Sequence, residues 1–147
     1  MKSGKYRRGV FIVAYSFEKE KPIYLILKRK LHWKGWEFPK GGKKDSESYE
    51  KSAKREIFEE TGQRPSRIIK LNVNGKYKYP KKLEDRPGVV GQTYKLYAVK
   101  IKKSGIKIDK IEHANYKWVS FENAMKKLTW KNQKKCLKVV DDWLKRK

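Results

Sequence analysis

Three carboxylates crowd a single turn of the clearest helical stretch in this chain. From Asp45 onward the apolar residues take up helical spacing, with Tyr49, Ala53 and Ile57 forming a stripe and Phe58 a candidate fourth member. Asp45 or Ser46 can cap the start, Gly62 stands where a left-handed terminating glycine belongs, and Pro65 bars continuation. On that helix Glu56, Glu59 and Glu60 fall at i, i+3 and i+4, so all three project from one side of the last turn. Like charges so spaced cost about 0.2–0.5 kcal/mol per pair on an isolated helix. The helix dipole makes the C-terminal end a poor place for negative charge as well. Two readings follow. Either this is a solvated acidic face balanced by Lys51, Lys54 and Arg55, or the turn is built around a divalent cation, for which hard carboxylate oxygens suit Mg²⁺ or Mn²⁺.

Composition sharpens the contrast, because acids are scarce here. Forty Lys and Arg face 16 Asp and Glu, a net charge of +24 over 147 residues. That length fits one domain spanning residues 1–147, and 37% hydrophobic and 13% aromatic content supply a core that a disordered chain would lack. The positive surface attracts polyanions; a Lys-rich proteome, such as that of a thermophile, gives the same composition with the lysines only solvating the surface. The lone Cys136 permits no internal disulfide and no thiolate metal site, which fits a reducing cytoplasm, and it reads as a small apolar residue packed on the last helix. The apolar run Val10–Phe17 follows Lys2, Lys5, Arg7 and Arg8 in the manner of a leader peptide. It is short, lacks a small-residue cleavage site and meets charged Glu18–Lys21 at once, so a buried strand is the expectation. No apolar segment reaches the roughly 20 residues of a membrane span.

Val10–Phe17 and Ile23–Lys28 read as two strands, a candidate hairpin, and Trp36–Phe38 as a brief extended piece before a turn at Gly41-Gly42. Arg67–Val73 and Lys76–Tyr79 look extended around a turn at Asn74-Gly75, and Lys81–Gly91 reads as a loop. Gln92–Lys102, Ile106–Ile108 and Tyr116–Val119 follow as strands, with a turn at Ser104-Gly105. Ser120 caps a helix over Phe121–Leu128, and Asn132 to about Leu144 is helical by the spacing of Cys136, Val139, Val140 and Trp143. Strands mixed with two or three helices in a non-repeating order indicate an α+β or α/β domain.

The segment around the carboxylates carries a more specific pattern. Gly41, five residues, Glu47, seven residues, then Arg55-Glu56-Ile57-Phe58-Glu59-Glu60-Thr61-Gly62 resembles the Nudix box, whose seven fixed positions all match. Gln63 departs from it, occupying a site usually aliphatic, which bears on local packing rather than catalysis; the lead-in Trp36–Gly42 also looks like the family's. The resemblance implies an α/β/α sandwich around a curved mixed sheet, in a single domain. It further implies metal held at Glu56, Glu59 and Glu60 with a backbone carbonyl at Lys40, two or three ions of Mg²⁺ or Mn²⁺, carboxylates oriented by Arg55, and Glu47 supporting from the helix start. Bound cations would neutralise phosphate oxygens and activate a water for in-line attack.

Outside the box, five short segments resemble the branch containing RNA 5′ pyrophosphohydrolases and diadenosine tetraphosphate hydrolases. They are Tyr6-Arg7, Tyr77–Leu83, Val90-Gly91-Gln92, Glu112 with Tyr116–Val119, and Trp130-Lys131. That branch implies that Glu112 is a metal ligand or general base, against which stands an exposed loop acid beside Lys110. His113 beside it is expected to be solvated and is given no role. Tyr77, Lys78, Tyr79, Lys81, Lys82 and Arg86 interleave rings with cations, a pattern that can stack a base and hold a polyphosphate. Arg7 and Lys78 or Lys81 are the favoured phosphate contacts; Tyr77 and Tyr79, and Trp130 at its helix start, serve equally well as core residues. The expected substrate is a nucleoside polyphosphate, either a dinucleoside tetraphosphate or a 5′-triphosphate RNA end. Hydrolysis of ADP-ribose or nucleoside triphosphates and a non-catalytic RNA-binding module are the competing functions; no protein partner is inferable and no membrane is involved.

Overall fold

A computed structural model describes residues 4–146; Lys2 of the basic N-terminal run lies outside them. The chain runs β1 (Lys5–Glu18), β2 (Lys21–Arg29), β3 (Gly35–Glu37), β4 (Lys40–Gly42), α1 (Tyr49–Thr61), β5 (Arg67–Lys78), β6 (Val89–Lys100), β7 (His113–Val119), α2 (Phe121–Lys127) and α3 (Lys131–Lys145). The strands form one mixed sheet in the order β3-β2-β1-β6-β5, with β4 paired to β1 and β7 to β2. Among the described strands β1 and β6 form the parallel pair and the other strand pairs are antiparallel.

Strand β1 is apolar without alternation because both of its faces are covered. Phe11, Val13 and Tyr15 point to a cluster closed by α2 and α3 through Ala124, Leu128, Cys136, Leu137 and Val140. Val10, Ile12 and Ala14 point the other way, against Ala53 and Ile57 of α1. The result is the expected α/β/α sandwich. The hairpin forms too, turning at Lys19 and Glu20 with φ of 51° and 67° although neither is the glycine or asparagine such a turn prefers.

Several expectations need correction. Gly41-Gly42 is not a turn but strand β4, paired with Val10 and Gly9. Asn74-Gly75 does not turn either: β5 runs through it, absorbing the irregularity in a register shift between Lys70 and Asn74. Gly75 lies against the Tyr94 ring, which any side chain there would strike, so its glycine serves close packing. Ile106–Ile108 forms no strand; Ile106 and Ile108 instead pack as partly buried loop residues against the core beneath α1. The cap of α1 is Ser48, which accepts from the Lys51 amide at 3.1 Å, rather than Asp45 or Ser46. Phe58 falls outside the apolar stripe, 49% exposed under the Arg64 guanidinium. Gly62 ends the helix at φ 73° as expected.

Candidate active site

Strand β4 brings the glycines to the carboxylate helix, and Arg55 fastens the two together. Its guanidinium donates to both oxygens of Glu47, to Glu56 at 2.8 Å, to Glu59 at 3.1 Å and to the Gly42 carbonyl at 2.8 Å. Glu47 also accepts from the Ser52 hydroxyl and the Lys44 amide. The Arg55 bonds, followed by that of Ser52, hold the Glu47 carboxyl at about 2. A methyl group at Gly41 would drive into the Glu56 carboxylate, and one at Gly42 into the Arg7 guanidinium. Both glycines are therefore demanded by close approach.

The helix presents its three acids in different surroundings. Glu59 is exposed beside Arg55. Glu56 is nearly buried, and burial, only partly opposed by Arg55, pushes its carboxyl up to about 7. Glu60 is 1% exposed and neither of its oxygens has a hydrogen-bond partner. Burial and the neighbouring Glu56 and Glu112 raise its pKa well above the carboxylate range. A buried carboxylate with two unpaired oxygens is costly unless something cationic meets it. Among the described residues no three His, Cys, Asp or Glu side chains come together in one coordination cluster, and Arg55 is bonded to both Glu56 and Glu59. The donor set nonetheless fits a divalent cation: hard oxygens, both of those of Glu60 orphaned, and glycines that leave the approach open.

Glu112 stands across from this helix, its carboxylate 3.0 Å from the Arg29 guanidinium. Arg29 is 3% exposed and also bonds Glu37 at 3.2 Å, and Glu37 accepts from His113 at 2.9 Å. Burial alone would raise the Glu37 carboxyl, but Lys40, His113 and Arg29 outweigh it and hold it at about 2. His113 is fully buried, which overturns its expected solvation. The register of β2 with β7 places it directly opposite Arg29, where it meets Glu37 and lies 3.9 Å from Glu60.

These groups surround a polar recess of about 80 Å³ lined by Arg7, Arg29, Lys40, Gly41, Glu56, Glu59, Arg86, Gln92 and Glu112. Arg7 has its pKa lowered by burial and then by the proximity of Arg86, the mark of two guanidiniums facing one space. Lys40 is buried, with its ammonium 3.2 Å from the Tyr77 hydroxyl and 4.3 Å from the centre of the Trp33 ring. Lys40 also lines a second, more apolar cleft of about 170 Å³, with Trp33, Tyr77, Lys78, Trp130 and Gln133. Trp33 and Trp130 meet edge to face there, with ring centres 6.4 Å apart.

The structure thus brings Arg7, Lys40, Gly41, Glu56, Glu59 and Glu112 to one recess and Tyr77, Lys78 and Trp130 to the cleft beside it. Lys81 is exposed and lines neither; the loop's contribution comes from Arg86. Arg29, Glu37 and Trp33 carry no role in the sequence reading, and His113 is read there only as a solvated loop residue. Their roles depend on pairings between strands far apart in the chain, for which no local spacing gives a signal.

Residues 5–140 match the family model of the NUDIX domain. The chain is 32% identical over 104 residues to an RNA pyrophosphohydrolase of Shewanella oneidensis, covering 63% of this chain and 60% of that protein. It is 29% identical over 128 residues to an RNA pyrophosphohydrolase of Histophilus somni, covering 79% of this chain and 64% of that one. The matches thus span less than two thirds of these relatives' lengths. Among solved structures, a Caenorhabditis elegans Ap4A hydrolase in binary complex superposes with a TM-score of 0.76 at 20% identity, over 96% of this chain and 99% of that one.

Proposed function

We propose, from the premise that this chain belongs to the NUDIX family, that it hydrolyses a phosphoanhydride bond of a nucleoside polyphosphate, with a 5′-triphosphate RNA end as the favoured substrate. One observation carries this reading: Arg7, Arg29, Lys40 and Arg86 converge on the recess that Glu56, Glu59 and Glu112 also line. Cations in that number suit a chain of phosphates, and acids beside them suit the metal that such chemistry uses. The aromatic lining of the adjoining cleft supports a site for the base of the same molecule. The names of the Shewanella and Histophilus relatives and the net charge of +24 support RNA. The fold shared with an Ap4A hydrolase keeps a dinucleoside tetraphosphate as the second reading.

Glu56, Glu59, Glu60 and Glu112 are the side chains that would hold Mg²⁺ or Mn²⁺, with the Lys40 carbonyl as a further donor. When bound, such a cation neutralises phosphate oxygens and lowers the pKa of water. The protein's own groups do the rest. Arg7 and Arg86 bind the phosphates, Arg55 fixes the carboxylates, and Trp33, Tyr77 and Trp130 flank the base, with Lys78 at the cleft's edge. Glu112 takes the proton of the attacking water as its oxygen bonds to phosphorus and the bond to the leaving phosphate breaks. Glu59, the most exposed acid of the three on the helix, is the other candidate base. The lone buried Cys136 supports a cytoplasmic setting, and no described helix is long and apolar enough to cross a membrane.

Product analysis by mass tests the reading. With Mg²⁺, triphosphorylated RNA is expected to yield a 5′-monophosphate end, diadenosine tetraphosphate to turn over more slowly, and a chelator to stop both reactions. Preference for ADP-ribose or a free nucleoside triphosphate would overturn the substrate assignment; metal-independent turnover would overturn the chemistry.

A further inference from the structure

His32, in the loop between β2 and β3, sits at φ 72°, a left-handed conformation that side chains rarely adopt. Residues held this way persist where their surroundings fix them, and they gather near functional sites. The surroundings of His32 are specific on both ring nitrogens. Arg29 Nη2 lies 3.3 Å from Nδ1; a guanidinium can only donate, so Nδ1 accepts and the ring proton belongs on Nε2. That nitrogen lies 3.1 and 3.0 Å from the two carboxylate oxygens of Asp85. The ring also leans on Trp33, with centres 5.7 Å apart. Arg29 is itself held on its other nitrogens: Nε donates to the Leu31 carbonyl at 2.8 Å, and Nη1 faces Glu37 and Glu112.

Asp85 belongs to the segment between β5 and β6, where the next residue is Arg86. Arg86 reaches back to the recess, donating to the Tyr79 hydroxyl at 2.8 Å and lying 5.3 Å from that ring's centre. Backbone bonds hold the C-terminal end of the segment, from the Lys5 amide to the Gly88 carbonyl at 2.9 Å and from the Val89 amide to the Arg86 carbonyl at 3.1 Å. The Arg86 amide donates to the Leu83 carbonyl at 3.2 Å, and the side chains before Arg86 have fewer anchors. Lys81, Lys82, Glu84, Asp85, Pro87 and Gly88 are all exposed, and Leu83 is the buried residue among them.

We propose that His32 and Asp85 are positioning residues, a strap that ties the 81–88 segment to Arg29 and so holds the Arg86 guanidinium at the phosphate-binding recess. This rests on the function proposed above but adds two residues outside the Nudix box, linking loops 53 positions apart. Asp85 is 58% exposed, and pairs so open to solvent add little to global stability. The strap therefore sets where Arg86 stands rather than whether the protein folds.

Steady-state kinetics on triphosphorylated RNA and on diadenosine tetraphosphate, run beside limited trypsin digestion, test this. In Asp85→Ala and His32→Gly, KM should rise about tenfold, as expected for one lost charge-assisted contact, with kcat within about twofold. Asp85→Asn should restore the KM, because its amide oxygen still accepts from Nε2. Asp85→Ala should add nothing in an Arg86→Ala background. Trypsin should cut after Lys81 and Lys82 faster in the first two variants, with the melting temperature unchanged. Digestion needs no turnover, so an inactive protein would defeat the proposed function while still deciding the strap. Unchanged cleavage, an unchanged KM, additivity with Arg86→Ala, or a fall in kcat and melting temperature instead of a rise in KM would each overturn the proposal.

Discussion

Glu60 is the residue whose state most depends on what is bound beside it. Burial and its acidic neighbours favour the protonated form, as they do for Glu56. In the unfolded chain such a carboxyl titrates near 4.5; in the metal-free fold Glu56 holds its proton to about 7. Between those values the native state binds more protons than the unfolded state, so metal-free stability should fall as pH rises from about 4.5 to 7. Added Mg²⁺ should offset that loss, because it binds the ionised form. Thermal melts across this window check the sign, and a melting temperature rising steadily with pH without metal would contradict it. Glu60→Gln removes one of the two titrating carboxyls: the slope should become shallower, folding should persist, and turnover should drop at least about a hundredfold. Gly41→Ala should be equally damaging by another route, since its methyl group displaces the Glu56 carboxylate. The expectation is a comparable loss of turnover with a melting temperature lowered only slightly, and near-normal turnover would show that Glu56 can move without consequence.

At the scale of elements, α1 was legible in the sequence because one periodic segment contains nearly everything it needs: the apolar stripe, Gly62, and acids whose spacing puts them on one side. Arg55 could be tied to those acids from sequence, though its reach to the Gly42 carbonyl could not, since β4 was read as a turn. The glycines that suggested turns at positions 41, 42 and 75 serve close approach instead, a demand that comes from side chains arriving from elsewhere. Arg29, Glu37 and His113 were illegible for the same reason, and only the sheet register assembles them. Gln63 shows tertiary structure repairing a local departure. Its amide donates to the Ser104 and Gly105 carbonyls, each at 2.9 Å, fixing the post-helix loop by hydrogen bonds where an aliphatic residue would fix it by packing. Gln63→Leu should therefore lower stability by about 1–2 kcal/mol in chemical denaturation while leaving kcat unchanged. A matching loss of kcat would mean that this loop steers the carboxylates.

For the whole molecule, the net charge of +24 poses a question that neither the recess nor the helix answers. If the lysines only solvate the surface, salt should act on the few cations that meet the substrate, and equally for any substrate with the same phosphate chain. If the surface also follows the body of an RNA, each further phosphate it neutralises steepens the dependence, by about 0.7 in the logarithmic slope for a single strand. The cleft beside the recess points to the second outcome, since Lys76, Lys78 and Lys131 line it together with the aromatic rings. The apparent affinity for a triphosphorylated RNA of ten or so nucleotides should therefore fall with ionic strength more steeply than that for diadenosine tetraphosphate, by about two units of slope if three such lysines engage. Replacing Lys78 and Lys131 with glutamine should bring the two slopes together without altering kcat on the dinucleotide. Equal slopes in the unaltered protein would assign the charge to surface solvation, and would leave the recess and the aromatic cleft as the whole of the substrate-binding apparatus.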